Sequence, residues 1–495
     1  MLRKAIFRNS AINALGKAFN YAVQLLLISY LVRSIGGEAY GVFVIALALI
    51  GNSNLLEAGF GLSVTKYAAE CRARNDAEGL NRVVNTGFLV NTALAAVFSL
   101  AILAVSFLFL GFFFKVPAEL LPSVRELMLI LLALSFFEFW TVGFIRVAEG
   151  LQRYALARGM ENVKWGFRFA FTAAAFVFRR DLTGLGLAYL AAGIADFAVL
   201  AYFIYGPRSA IKFDLRLADR TTFRGMLSFS VWILISKISA LFFYRINSIV
   251  IGVFLEPVYA AYYSVGSKIY ELLRYGFCII SSTLVPVSAE LAARDDKRRL
   301  GQLFEKSAYY TALLMAPCIA FAAFRSEELV RLWMGAGFAP AAPLARLLII
   351  SLAPTLFVAS GAEILVGLGQ MRQLVVYGAA GSLVSFFISV AFIKTHGINA
   401  VAVGAIAGSA VTAAGYLYKM TDYFSFAGAG AGIAARAAGA AVLLAGLCLC
   451  LALYGGLAAG LAFTSLYFLS VYFLLLLPAE KSAVDSYLGR FRAKV

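Results

Sequence analysis

Ala11-Ile12-Asn13-Ala14-Leu15-Gly16-Lys17-Ala18-Phe19-Asn20-Tyr21-Ala22-Val23-Gln24-Leu25-Leu26-Leu27-Ile28-Ser29-Tyr30-Leu31-Val32-Arg33 is an apolar run of membrane-spanning length with a lysine inside it. About 20 such residues cross a bilayer core as a helix. A buried ammonium costs roughly 2.5 to 3.5 kcal/mol on insertion scales unless it meets water or an anion. Asn13, Lys17, Asn20 and Gln24 recur at intervals of four, three and four, so they share one helical stripe that cannot face lipid comfortably. Lys237 and Arg245 sit in a later apolar run in the same way. These three cations point to a wet, anion-seeking cavity.

The rest of the chain agrees with this environment. Of 495 residues 62% are hydrophobic and 14% charged, mean hydropathy is +0.86, and soluble domains average about 25% charged. This is an integral membrane protein. The net charge of +17 brings no aromatic and basic reading surface or binding-fold signature, so nucleic acid is not expected as a partner. Cys71, Cys278, Cys318, Cys448 and Cys450 show neither a paired framework nor metal-site spacing, and His396 is the only histidine. No cofactor or metal is expected. The basic start, with Arg3, Lys4 and Arg8, runs into a stretch too long for a signal peptide and is read as a retained first helix.

Spans are expected near 10–33, 39–62, 84–113, 124–148, 159–178, 184–205, 226–253, 258–285, 303–324, 344–366, 374–393, 397–418, 432–454 and 456–477. That is an all-α fold of about fourteen transmembrane helices. Lys and Arg accumulate in alternate loops, at Lys66 to Arg82, Arg153 and Arg158, Arg208 to Arg224, Arg294 to Arg299, and Lys481 to Lys494. Both termini are therefore expected in the cytoplasm.

An offset of 220 links Lys17 to Lys237, Glu70 to Glu290, Arg74 to Arg294, Asp76 to Asp296 and Leu80 to Leu300. An offset of 219 links Gly150 to Gly369, Arg153 to Arg372 and Gly159 to Gly378. Such spacing implies two six-helix lobes in a pseudo-two-fold repeat, 1–205 and 225–418, joined by a basic cytoplasmic linker, 206–224. A terminal helix pair and cytoplasmic tail, 419–495, follow. Two lobes with a cleft between them suit a transporter that opens alternately to each side.

The polar residues in the spans carry the candidate chemistry. The seventh span places Ser230, Lys237, Tyr244, Arg245 and Asn247 together, so with the first span it is expected to line the cleft; the alternative is that these cations pair with neighbouring carboxylates or carbonyls. Glu161, Lys164 and Arg168 on the fifth span, and Lys268, Glu271 and Arg274 on the eighth, each set one acid among two bases. Of the buried acids Glu57, Glu138, Asp196, Glu271 and Glu363, Glu57 and Asp196 lead as coupling sites. Glu70, Arg74 and Asp76, mirrored by Glu290, Arg294 and Asp296, either latch the cytoplasmic mouth or are solvated loop charge.

Arg33-Ser34-Ile35-Gly36-Gly37-Glu38-Ala39-Tyr40-Gly41-Val42-Phe43, then Leu56-Glu57-Ala58-Gly59-Phe60-Gly61-Leu62, Lys66 and Glu70, resembles the signature of the polysaccharide transporter family. With the duplicated six-span plan, the resemblance covers essentially the whole chain. It points to the lipid-linked O-antigen repeat-unit flippases of the multidrug/oligosaccharidyl-lipid/polysaccharide exporter superfamily. It implies movement of an undecaprenyl-pyrophosphate-linked glycan between leaflets of a bacterial-type plasma membrane, with membrane lipids and polymerase or chain-length machinery as partners. On that basis Lys17, Lys237, Arg245 and Arg168 would hold the anionic head, while Asn13, Asn20, Gln24 and Tyr244 face the sugar. A multidrug antiporter and a lipid II flippase are the alternatives within the superfamily. Many of the drug antiporters carry an acid in the first span, where this chain has Lys17. A polyprenyl-dependent glycosyltransferase is the enzymatic alternative, but the longest outer loop, Arg325 to Pro343, offers no catalytic constellation.

Overall fold

The computed structural model describes residues 2–50, 53–113, 118–206, 211–227, 246–281, 284–356, 358–423 and 431–476. Among them there is no strand. Among the described residues seven helices are long and apolar enough to cross a membrane, an eighth forms if the bent pair Ala341–Thr355 and Ala359–Gly367 counts as one span, and shorter apolar helices accompany them. About fourteen spans is compatible with this set. The chain divides into two compact units, Met1–Ser264 and Val265–Val495.

The first unit contains α1 (Leu2–Ile35), α2 (Gly37–Ile50), α3 (Ser53–Ala73), α4 (Ala77–Phe113), α5 (Leu121–Gly150), α6 (Tyr154–Phe178), α7 (Leu182–Tyr205), α8 (Ile246–Phe254) and the start of α9 (Pro257–Ser281). Its centre is α5, which packs on α3, α4 and α7, while α6 packs on α7 and α1. Phe60, Val64, Val84, Phe144, Val147, Met160, Leu200 and Ile204 form the apolar core between them. Trp140 anchors an aromatic layer with Phe88, Phe137 and Phe197, and its indole N–H donates to the Thr92 hydroxyl at 2.9 Å. The half-buried indole thus leaves no donor unsatisfied.

The segment 211–219 is bound to α4 by side chains one helical turn apart. Asn81 Oδ1 accepts from Lys212 N at 2.6 Å, and Asn85 donates to the Lys212 carbonyl at 2.8 Å and accepts from Asp214 N at 3.0 Å. Thr86 Oγ1 accepts from Asp219 N at 3.0 Å. All three side chains are buried, so they replace water for an otherwise unpaired backbone. Hydrogen bonds from the Thr221 hydroxyl and from the N–H and hydroxyl of Thr222 hold the Asp219 carboxyl well below the usual carboxylate range. Replacing Asn85 by alanine should strand buried backbone groups at a cost of about 1–3 kcal/mol. Faster amide exchange at 211–219, with α6 unchanged, is the expected readout.

The second unit holds α10 (Leu284–Ala293), α11 (Lys297–Phe324), α12 (Ser326–Met334), α13 (Ala341–Ile350), α14 (Ala359–Gly367), α15 (Met371–His396), α16 (Asn399–Met420), α17 (Ala431–Leu453) and α18 (Leu457–Ser470). The expected span 344–366 is broken here, bent by 51°. Pro354 has no N–H to continue the ladder, and the Ser351 and Thr355 hydroxyls donate to the Leu348 and Leu352 carbonyls near the bend. Helices α15 and α16 meet through glycine: a Cβ on Gly408 would lie 2.3 Å from the Gly381 carbonyl oxygen. Arg325, between α11 and α12, is buried and donates to the carbonyls of Leu451, at 2.9 Å, and Tyr454. It also pairs with Glu328 at 3.4 Å, which accepts from Gly456 N at 3.3 Å. The turn between α17 and α18 is thereby fixed to α11 and α12.

The repeat is written into the turns. Asn75 and Asp295, 220 apart, both adopt the left-handed conformation, with φ of 54° and 49°. After them Asp76 N and Asp296 N donate five residues back, to Cys71 O and Leu291 O, closing the preceding helix in the same way. Helices α2 and α9 also begin 220 apart, at Gly37 and Pro257. Further on, the left-handed residues are Gln152 and Gly369, which gives an offset of 217. The 219 register expected from Gly150 and Gly369 is thus corrected. Gly150 is a close-approach glycine, where a Cβ would lie 2.7 Å from the Thr65 carbonyl oxygen, and its counterpart is Gly367, 2.5 Å from that of Val285. The 219 offset aligns two glycines with different physical jobs.

Candidate functional site

Three helices of the first unit deliver charge to one buried place. Lys164 and Arg168 stand one turn apart on α6, so both reach the same neighbour. That neighbour is Glu138 on α5, whose Oε1 lies 3.1 Å from Lys164 Nζ and 2.5 Å from Arg168 Nη2. The Arg168 guanidinium also lies over the rings of Trp165, at 5.0 Å, and Tyr189, at 4.9 Å. Aromatic faces hold the cation where water is scarce.

Asp196 on α7 completes the group, lining with Glu138, Thr141, Lys164, Arg168 and Gly193 a cavity of about 10 Å³. Such a volume admits about one water molecule. Asp196 is 3% exposed, and its Oδ1 has no hydrogen-bond partner among the described residues. Two cations and two carboxylates balance when all are ionised; adding one proton leaves a net positive charge.

Sequence spacing groups Glu161 with Lys164 and Arg168. Instead Glu161 pairs with Arg158 at 3.0 Å near the end of α6, and the acid that serves Lys164 and Arg168 comes from another helix. The Lys268 to Glu271 pairing on α9 forms as its spacing suggests, at 2.8 Å. No local pattern marks Glu138; its only signal is being an acid in an apolar span.

On α1, Asn20 and Gln24 are half-buried, and Asn20 Oδ1 is buried without a hydrogen-bond partner among the described residues. A Cβ on Gly16 would lie 2.9 Å from Asn162 Nδ2, so this stretch of α1 runs close against α6. The side chains of Asn13, Lys17 and Glu57 lie outside the described residues, as do Lys237, Tyr244 and Arg245 entirely. Of the charges expected at the cytoplasmic mouth, Glu70 lies 3.8 Å from Lys66, and Glu290 lies 2.6 Å from Arg294. Asp76 Oδ1 accepts from Gly79 N at 2.8 Å, and Asp296 Oδ1 from Arg299 N at 3.0 Å. Both aspartates therefore cap the helix that follows, and Arg74 lies on the same turn as Asp76.

The model of the family described as polysaccharide biosynthesis protein matches residues 6–292. A candidate O-antigen transporter of Shigella flexneri is 20% identical over 337 residues, covering 68% of this chain and 78% of that protein. The lipid II flippase MurJ in an inward closed conformation superposes with a TM-score of 0.71 at 12% identity, over 94% of this chain and 99% of its own. An inward-facing multidrug resistance MATE family transporter of the MOP superfamily gives 0.67 at 17% identity, over 82% and 95%. At such identities the solved structures speak to the fold, and all these proteins are transporters, not enzymes. The chain belongs to the polysaccharide biosynthesis protein family, as a multi-pass membrane protein with the fold of the multidrug/oligosaccharidyl-lipid/polysaccharide exporter superfamily.

Proposed function

We propose that this protein is a flippase that carries an undecaprenyl-pyrophosphate-linked oligosaccharide from the cytoplasmic to the outer leaflet by alternating access, for cell-surface polysaccharide export. The observation that carries the reading is the family match, which takes in both the polar first helix and the whole Glu138 to Asp196 cluster. A pyrophosphate loses much hydration in a cleft, and charge-assisted donors replace it. Lys17, Lys237 and Arg245 are assigned to that head, and Asn13, Asn20, Gln24 and Tyr244 to the glycan. Arg168 is engaged by Glu138 in this conformation, so it reaches the head only when Glu138 releases it. Asp196 and Glu57 are the coupling candidates, the lobes are 1–205 and 225–418, and Glu70, Arg74, Asp76, Glu290, Arg294 and Asp296 guard the cytoplasmic mouth. Both termini are assigned to the cytoplasm, with pathway polymerase or chain-length machinery as partners.

A cytoplasm-negative potential would itself push the anionic head outward, by roughly 2.3 kcal/mol per charge per 100 mV. The test is a leaflet-accessibility assay on purified protein in vesicles with labelled lipid-linked glycans. Lys17→Ala and Arg245→Ala should each lower flipping at least about tenfold, the equivalent of one 1.4 kcal/mol interaction, with thermal stability retained. Normal flipping by both variants removes the site assignment. Absence of flipping by the parent protein with every glycan tried removes the function.

A further inference from the structure

The strap at 211–224 presents positive charge from a fixed backbone. Asn81, Asn85 and Thr86 of α4 hold its main chain at Lys212, Asp214 and Asp219, while Lys212, Arg216, Arg220 and Arg224 are exposed. Exposed arginines elsewhere meet an acid: Arg158 meets Glu161, Arg179 meets Asp181, Arg294 meets Glu290 and Arg331 meets Glu327. The strap cations form no such ion pair among the described residues. The acids beside them in sequence are already engaged. Asp214 accepts from Arg216 N at 2.9 Å, and Asp219 accepts from the Thr221 hydroxyl and from the N–H and hydroxyl of Thr222.

This charge lies at the membrane boundary. Phe213 is 54% exposed, yet it stands edge-on to Phe88 at 5.1 Å and to Tyr205 at 5.7 Å. Tyr205 is the last residue of the spanning helix α7, so it sets the depth of the strap. Tyr202 and Phe203, on the last turn of that helix, are exposed as interfacial aromatic residues are. Leu215 is exposed too. Cations and apolar side chains thus share one short stretch at headgroup level.

Topology does not require such order, because the bias that orients spans counts Lys and Arg near their ends whatever the loop conformation. Nor does the repeat require it. At the 220 offset Asn81, Asn85 and Thr86 correspond to Gly301, Glu305 and Lys306. Lys212, Arg220 and Arg224 correspond to Gly432, Ala440 and Leu444, and only Arg216 has a basic counterpart, Arg436. A backbone held in place beforehand lowers the ordering cost of binding, which gives the clamp a purpose that topology does not.

We propose that the strap is a binding site for an anionic phospholipid of the leaflet at this end of α7. Lys212, Arg216 and Arg220 hold the headgroup phosphate through charge-assisted hydrogen bonds, while Phe213 and Leu215 enter the acyl region. A soluble anion would gain nothing from the exposed apolar side chains, and a zwitterionic lipid would bring a cation to a surface that is already basic. The site uses none of the residues assigned to the carried lipid.

The test uses the full chain purified in detergent, with phosphatidylglycerol titrated in and bound lipid counted by native mass spectrometry. Replacing Lys212, Arg216 and Arg220 together by glutamine should raise the half-saturating concentration at least about tenfold, as loss of three cations facing an anionic headgroup allows. Replacing Lys297, Arg298 and Lys306 together by glutamine, which removes the same formal charge from another exposed stretch, should leave it unchanged. Asn85→Ala keeps every charge but loosens the clamp, and should weaken binding while α6 keeps its amide protection. Phosphatidylcholine of the same acyl chains should bind all variants alike. Parent-like binding by the strap variant overturns the site, as does equal loss in both triple variants, which shows bulk charge alone. Equal competition by glycerol phosphate, the headgroup without its chains, overturns the lipid. Preference for a lipid-linked pyrophosphate over phosphatidylglycerol overturns the phospholipid and gives the strap to the carried substrate.

Discussion

Glu138→Leu is expected to destabilise the protein by about 3–5 kcal/mol, the usual cost of removing one partner from a buried charge group. Glu138 Oε1 is the shared acceptor for Lys164 and Arg168. Without it both cations face one another across a cavity of about 10 Å³, too small for the several waters needed to solvate them. The remaining carboxylate, Asp196, can answer only one of them. Thermal unfolding of the purified protein should show a large downward shift and poor recovery from the membrane. Combining Glu138→Leu with Arg168→Leu should restore much of the stability, because an apolar replacement of a whole buried pair is often neutral. It should not restore transport if Arg168 and Glu138 act in the cycle. Equal stability of Glu138→Leu and the parent protein would show that the pair is not closed in the membrane.

Arg325→Ala should release the terminal helix pair. The side chain is 7% exposed and serves the Leu451 and Tyr454 carbonyls as well as Glu328. Hydrogen bonds from a charged donor are worth about 1.5–3 kcal/mol, and here more than one is lost at a helix end. Packing is lost too, since a Cβ on Gly460 of α18 would lie 3.1 Å from Arg325 Nε. Amide exchange and protease cleavage around Tyr454 to Gly456 should rise, while α5 to α7 stay protected. Arg325→Lys should rescue poorly, because an ammonium on a flexible stem cannot reproduce a planar fork aimed at two carbonyls. Unchanged exchange in α17 and α18 would mean that apolar packing alone holds them.

Much of the fold is legible in the order of residues. The apolar runs found from hydropathy recur as helices at α4, α5, α6, α7, α11, α15, α16 and α17, with α4 and α11 starting six or seven residues earlier than expected. The break near Pro354 escapes hydropathy because a window averages over a bend. The amphipathic α12 escapes it because it lies in what reads as a loop. At the buried cluster, the bases on α6 and Asp196 on α7 are visible as charges in apolar spans, but which of them share one cavity, and the pairing with Glu138, are not. Spacing along one helix favours Glu161, and rotation of α6 turns Lys164 away from it towards α5.

The sequence alone determined that this chain lives in a membrane, is helical, repeats at about 220 residues and carries cations that lipid cannot accept. Each of these follows from local composition or from periodicity, which needs no knowledge of which helix touches which. Tertiary structure decided that Glu138 neutralises Lys164 and Arg168, that Asp76 and Asp296 cap helices, and that Tyr40 and Gly41 meet Ser264 and Pro257. Such contacts depend on the rotation and axial offset of each helix. An ångström or a few tens of degrees changes which carboxylate a guanidinium finds, and no one-dimensional pattern encodes that.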